Sequence, residues 1–247
     1  MTYIILLRHG ESEANVANDN SDVPTTKLTK RGHEQAKRAA EYIASLKFLN
    51  IKHVLSSPFT RALDTATHVA KKLKLKVTVV NGLREASSGI IDGVKFGDVK
   101  HLTHTVTTKS ASGAIIKKVI PVGAKLVELD AKLDALAKSG MSQADPAWKA
   151  LIDKFIEISG GETEVDIYRR ISKVVKEYAN SGSILIVSHG GTIREYISYR
   201  FNINWATIGT NYGKDKNGKD ITNCHLSVIN TKTKKLEMML NTKYLTI

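Results

Sequence analysis

The sequence predicts an α/β fold of three layers, a mostly parallel sheet with helices on both faces, carrying a small helical lid insertion. Two observations lead there. Short runs of aliphatic and β-branched residues alternate with segments of helical period, the pattern of strand-helix-strand units that build a parallel sheet. Two of these runs also end alike: Tyr3-Ile4-Ile5-Leu6-Leu7 passes into Arg8-His9-Gly10, and Ser183 to Ser188 passes into His189-Gly190-Gly191. Ligands of open α/β sheets sit at the carboxyl ends of strands, so a repeated His-Gly ending marks a site more readily than it serves packing.

The elements follow in order. The first apolar run is a strand buried on both faces. Thr29 caps a helix from Arg31 to Leu46, in which Ala36, Ala39, Ala40 and Ile43 keep a helical period. Ile51 to Ser56 is a short strand. Ser57-Pro58 then opens a helix, with Ser57 as cap, Pro58 in the first helical position and Arg61 in the first turn. Lys76 to Val80 is the next strand. From about residue 97 to 159 the alternation lapses, which defines the lid insertion within one domain spanning 1–247. There Thr105 to Ser112 reads as a mobile polar loop. Helical spacing over Val127, Leu129, Leu133 and Leu136 ends at Gly140, and Asp145-Pro146 starts a second helix through Phe155. The main pattern resumes with a helix from Gly160-Gly161-Glu162-Thr163 to Tyr178, the Ile184 to Ser188 strand and a helix from Thr192 to Tyr199. Two antiparallel strands, His225 to Asn230 and Leu236 to Leu240, close the chain.

Composition narrows the function classes. In 247 residues, 42% are hydrophobic and 25% charged, ordinary for a soluble globular protein with a sizeable core. No apolar run approaches the roughly 18 residues of a membrane span, and the amino terminus lacks a leader pattern. The single cysteine, Cys224, excludes an internal disulfide framework and fits a reducing cytoplasm. The net charge of +13 favours anionic partners. Its lysines are scattered, among them Lys71, Lys72, Lys117, Lys118, Lys214, Lys216, Lys219, Lys234 and Lys235. Without an arginine block, an aromatic RNA-binding motif or a Cys/His finger, a solvated basic surface is favoured over nucleic-acid binding.

Phosphoryl transfer needs positive charge around the equatorial oxygens and accurate positioning. Arg8 and Arg61 offer planar forks suited to phosphate. His9 and His189 bring two imidazoles from separate strands. A neutral imidazole attacks phosphorus to give a phosphohistidine, while a protonated one stabilises the transferring group. A carboxylic acid protonates the leaving alkoxide, and Glu85 in Leu83-Arg84-Glu85 lies at the same sheet edge. His33, His53, His68 and His225 read as structural, and His101 and His104 as a surface pair.

The ordered segments Arg8-His9-Gly10-Glu11-Ser12-Glu13-Ala14-Asn15, Leu28 to Ala36, Ser56-Ser57-Pro58-Phe59-Thr60-Arg61-Ala62, Leu83-Arg84-Glu85, Gly160-Gly161-Glu162-Thr163 and Val187-Ser188-His189-Gly190-Gly191 resemble the histidine phosphatase superfamily in its phosphoglycerate-mutase-like branch. The resemblance implies His9 as the phosphorylated nucleophile, Arg8, Arg61 and His189 as the phosphate pocket and Glu85 as proton donor. It implies Asn15 and the backbone N–H of Gly190 as further phosphate contacts, with no metal or organic cofactor. Two departures bear on the reaction. Ser88 stands where the mutases carry an aromatic three positions after the acid, and the segment from Gly97 to Ser159 contains no arginine, whereas the mutases place paired arginines in the lid. Hydrolysis of a phosphorylated small molecule is therefore favoured, with a phosphoprotein as a further substrate class. A phosphoglycerate mutase and an inactive anion-binding scaffold are the competing readings. The late strands could pair in a homodimer.

Overall fold

The computed structural model describes residues 1–17, 23–94, 96–110, 112, 114–141, 145–203 and 223–245. Lys214, Lys216 and Lys219 of the basic set lie outside them. The main sheet has six strands in the order β3-β2-β6-β1-β7-β8. These are β1 (Tyr3–Arg8), β2 (Ile51–Ser56), β3 (Val77–Val79), β6 (Ser183–Ser188), β7 (Leu226–Asn230) and β8 (Leu236–Asn241). The β1/β6, β2/β6 and β2/β3 pairs are parallel, and β7 joins β1 and β8 antiparallel, as the alternation predicted.

Residues of opposite parity in β1 serve opposite faces, as the pleat requires. Tyr3, Ile5 and Leu7 face the core made with Ala39, Ala40 and Ile43 of α2 (Lys30–Ser45) and Ala62, Ala66 and Val69 of α3 (Thr60–Leu73). Ile4 and Leu6 face Ile167, Ile171 and Val174 of α6 (Glu164–Tyr178) and Ile193, Tyr196 and Ile197 of α7 (Gly190–Phe201). This double coverage explains why β1 and β6 are continuous apolar runs with no polar alternation.

Local chemistry sets most helix starts. Thr29 accepts the Gly32 N–H at the head of α2, and Thr163 and Asp166 form a reciprocal capping box at α6. The start predicted at Ser57-Pro58 is corrected: α3 begins at Thr60, with Phe59 at the cap position. Ser57 accepts the Phe59 N–H at 3.2 Å, but its hydroxyl also bonds elsewhere, as described below. A short helix α1 (Glu13–Ala17) follows β1.

The described residues form two compact units, one from residues up to Ala86 and from Thr163 onward, the other from Ser87–Glu162. The second contains a two-stranded sheet, β4 (Thr103–Lys109) with β5 (Ile115–Pro121), and the helices α4 (Gly123–Lys138) and α5 (Pro146–Ser159). Ile91, Val99 and Leu126 form its small core. The mobile loop expected over Thr105 to Ser112 is thus overturned for residues 105–109, and the insertion is not purely helical. Thr105, Val106, Thr107 and Thr108 pair with Val119, Lys118, Lys117 and Ile116. β-Branched threonines favour the strand even though they are polar. Asp145 accepts the Ala147 N–H at 2.8 Å and caps α5 ahead of Pro146, as predicted.

Candidate active site

The register of β1 against β6 places Arg8 opposite Ser188, so His9 and His189 emerge side by side at the carboxyl edge of the sheet. The His9 N–H donates to Ser188 O at 3.0 Å. The two ring centroids lie 5.2 Å apart. Both imidazoles are buried, His9 at 2% exposure and His189 at 0%.

The tautomer of His9 follows from its partner. Nδ1 lies 2.7 Å from Gly10 O, which can only accept, so Nδ1 carries the proton and Nε2 keeps its lone pair. Arg61 Nε donates to that Nε2 at 3.3 Å. Burial holds the His9 pKa well below the ordinary imidazole value, reinforced by Arg8, His189 and Arg61. His9 is therefore neutral, with its Nε2 lone pair turned toward a guanidinium that donates to it.

Arg61 is fully buried and comes from the first turn of α3. Its Nη1 donates to Val23 O at 3.2 Å, and its Cζ lies 5.1 Å from the centre of the Phe59 ring. Thr65, one turn later, donates to Arg61 O at 2.8 Å and accepts the Gly10 N–H at 3.0 Å, tying α3 to the turn after β1. That turn passes so close to α2 that a Cβ at Gly10 would stand 2.4 Å from Gly32 O. The Arg8 side chain crosses the start of α7, where a Cβ on Gly190 would meet Arg8 Nε at 3.2 Å.

His189 Nε2 is 2.7 Å from Ser57 Oγ, while its buried Nδ1 has no hydrogen-bond partner among the described residues. Burial pushes its pKa well down, as do Arg61, Arg8 and Arg170. These influences favour a neutral imidazole over the protonated His189 expected from sequence.

Glu85 follows the turn Asn81–Leu83, whose Leu83 is fully buried. Its Oε1 accepts from Thr192 N at 2.8 Å, Thr192 Oγ1 at 3.0 Å and Ala86 N at 2.9 Å. Asp92 is engaged within its own loop, by Ser87 Oγ at 2.6 Å and Ser88 N at 2.7 Å. Asn15 is exposed, and its Oδ1 accepts from Ser12 N at 3.1 Å and Asn223 Nδ2 at 2.9 Å. Asn223 Nδ2 also reaches His9 O at 3.4 Å. No group of three or more His, Cys, Asp or Glu among the described residues is arranged to hold a metal ion.

Sequence reasoning missed several residues here. Ser57 stood inside a motif but was read as a cap, and Thr192 was read only as a helix start. Arg170 and Asn223 carried no signal beyond their residue type.

The chain belongs to the histidine phosphatase superfamily (branch 1), whose profile matches residues 4–139 and 132–240. It is 30% identical over 204 residues to a 2,3-bisphosphoglycerate-dependent phosphoglycerate mutase of Thermoplasma acidophilum, covering 80% of this chain and 99% of the relative. It is 27% identical over 219 residues to a glucosyl-3-phosphoglycerate phosphatase of Mycolicibacterium vanbaalenii, covering 83% and 78%. Among solved structures, a mycobacterial glucosyl-3-phosphoglycerate phosphatase superposes with a TM-score of 0.62 at 20% identity, covering 98% of this chain and 99% of that one. A phosphoserine phosphatase from Entamoeba histolytica does so at 0.60 and 20%, covering 99% and 100%. These structural likenesses speak to the fold. No helix among the described residues is long and apolar enough to cross a membrane.

Proposed function

We propose that the chain hydrolyses phosphomonoesters through a phosphohistidine on His9. The observation that carries this reading is the neutral, buried His9, its Nδ1 bound to Gly10 O and its unprotonated Nε2 accepting from Arg61 Nε. In the first step Nε2 attacks phosphorus and the ester P–O bond breaks. The leaving oxygen takes a proton from the Glu85 carboxyl. In the second step Glu85 takes a proton from water, whose oxygen attacks the phosphohistidine and releases inorganic phosphate and His9. Arg8, Arg61 and His189 surround the transferring group and balance its charge. Asn15 and the Gly190 N–H are candidates for further contacts. The chemistry asks for no metal or organic cofactor.

A phosphoglycerate mutase remains the second reading, favoured by the Thermoplasma relative. Against it stands the arginine-free segment from Gly97 to Ser159, which lacks the forked cations suited to a second anionic group. A scaffold without activity is disfavoured by the intact set of Arg8, His9, Arg61, Glu85 and His189.

The test is phosphate release without added metal. The substrates are p-nitrophenyl phosphate, sugar phosphates, 3-phosphoglycerate, glucosyl-3-phosphoglycerate, phosphoserine, nucleotides and phosphopeptides. Turnover and acid-labile labelling should vanish in His9→Ala. Wild-type turnover in that variant would refute the mechanism, and phosphate transfer that depends on a bisphosphate primer would establish the mutase.

A further inference from the structure

The segment Gly82–Glu85 is held from outside by one side chain that the proposed reaction does not itself use. Arg170, in the middle of α6, donates through Nη1 to Gly82 O at 2.8 Å and to Arg84 O at 2.9 Å. Through Nη2 it reaches Glu85 O at 3.4 Å and Thr192 Oγ1 at 3.3 Å. That threonine donates its N–H to Glu85 Oε1, and its single hydroxyl hydrogen lies between Oε1 at 3.0 Å and Arg84 O at 2.8 Å. Gly82 lies flush on the same helix, where an added Cβ would stand 3.0 Å from Val174 Cγ2. One planar guanidinium thus fixes the backbone on both sides of the Glu85 Cα and also the hydroxyl that orients its carboxyl.

We propose that Arg170 is a positioning residue for the proton donor: it sets the direction of the Glu85 carboxyl through three carbonyls and Thr192. The proposal rests on the reading of Glu85 as the group that protonates the leaving oxygen. Oε1 already accepts from the N–H groups of Ala86 and Thr192, so the proton of the acid form is favoured on Oε2. Proton transfer falls off steeply when the donor is displaced by an ångström. A fork that holds main chain and side chain together removes that freedom. A lysine, a point charge with a flexible stem, cannot bind the same four acceptors in one plane.

The test is the dependence of the loss on the leaving group. Arg170→Gln, Thr192→Val and Glu85→Gln are assayed with the wild type on an alkyl phosphate and on p-nitrophenyl phosphate, whose leaving group departs without a proton. Positioning of a general acid predicts a fall in kcat on the alkyl ester of about 100-fold. On the activated ester the rate of His9 phosphorylation, read as the p-nitrophenolate burst that precedes the step in which Glu85 takes a proton from water, should fall less than about threefold in each variant. Thermal unfolding checks that each variant folds, and Thr192→Val carries the test if Arg170→Gln does not. Equal losses on both esters, or none, in Arg170→Gln and Thr192→Val, with the split preserved in Glu85→Gln, would overturn the role of Arg170 alone. Equal losses in Glu85→Gln would remove Glu85 as proton donor and the proposal with it.

Discussion

Ser57→Ala isolates the one contact that sets the state of His189. The Ser57 hydroxyl accepts the Phe59 N–H at 3.2 Å, so its single hydrogen is left for the His189 Nε2, 2.7 Å away. Taking the serine as donor makes His189 the Nδ1–H tautomer, and that assignment is what the variant tests. Alanine leaves Nε2 without a partner in a residue with no exposed surface. A buried acceptor orphaned in this way costs about 1–3 kcal/mol. In a chain of this size each kcal/mol lowers Tm by about 2–4 °C, so a fall of roughly 2–12 °C is expected, with Ser57→Thr far milder. The decisive assay is the nitrogen NMR spectrum of selectively labelled histidine. In the wild type the His189 Nε2 should resonate as an unprotonated, pyridine-like nitrogen, and in Ser57→Ala the two tautomers should mix. A protonated Nε2 in the wild type, or a Ser57→Ala protein with unchanged Tm and spectrum, would refute the assignment.

Two further predictions follow from burial. His9, His189 and His225 are all held neutral, the last with its pKa pushed down to about 3, chiefly by burial. The unfolded chain binds more protons than the folded one once pH drops below the ordinary histidine value. Stability is therefore fully present above about pH 6.5 and falls below it, by about 1.4 kcal/mol per pH unit for each histidine. Urea midpoints measured from pH 7.5 down to 5 should drop steeply, and a flat series would contradict the neutral assignments. Gly10→Ala drives a Cβ to 2.4 Å from Gly32 O, a backbone atom that moves only with the turn of α2. A loss of about 3 kcal/mol is expected, together with displacement of the His9 ring. Native Tm and native phosphate release in that variant would show that the turn relaxes freely.

Legibility followed how directly a residue type reports its surroundings. β1 and β6 were readable because both of their faces are buried, which leaves no ambiguity of period, and their His-Gly endings lie side by side through the parallel register. The strand over Thr103–Lys109 was misread because threonine is polar by composition yet β-branched by shape, and its partner Ile115–Pro121 supplies the pairing that composition cannot display. Ser57-Pro58 has the form of a helix start, but the hydroxyl finds a stronger use against a histidine distant in sequence. Arg170 stands beside Arg169 in an amphipathic helix. Nothing local tells which of the two turns toward Gly82, Arg84 and Thr192. Contacts of this kind depend on the tertiary meeting of α6, α7 and the Glu85 segment, which no window of sequence contains.

The charge state of the site also bears on how the proposed reaction is ordered. Two imidazoles stand 5.2 Å apart among guanidiniums, and each is kept neutral by burial first and by those cations second. A phosphate dianion entering this site reverses the second influence, since a nearby negative charge favours the protonated imidazole. The proton must not go to the nucleophile, and the hydrogen bonds separate the two rings. His9 already spends its Nδ1 proton on Gly10 O and needs its Nε2 lone pair for attack. His189 Nε2 lies against the Ser57 hydroxyl, a group that donates to it when that nitrogen is bare and accepts from it when it is protonated. The serine hydroxyl can therefore accommodate either state of His189, whereas no contact of His9 does the same at Nε2, where Arg61 itself donates. On this geometry the bound phosphate recruits a proton to His189 and leaves His9 free to attack.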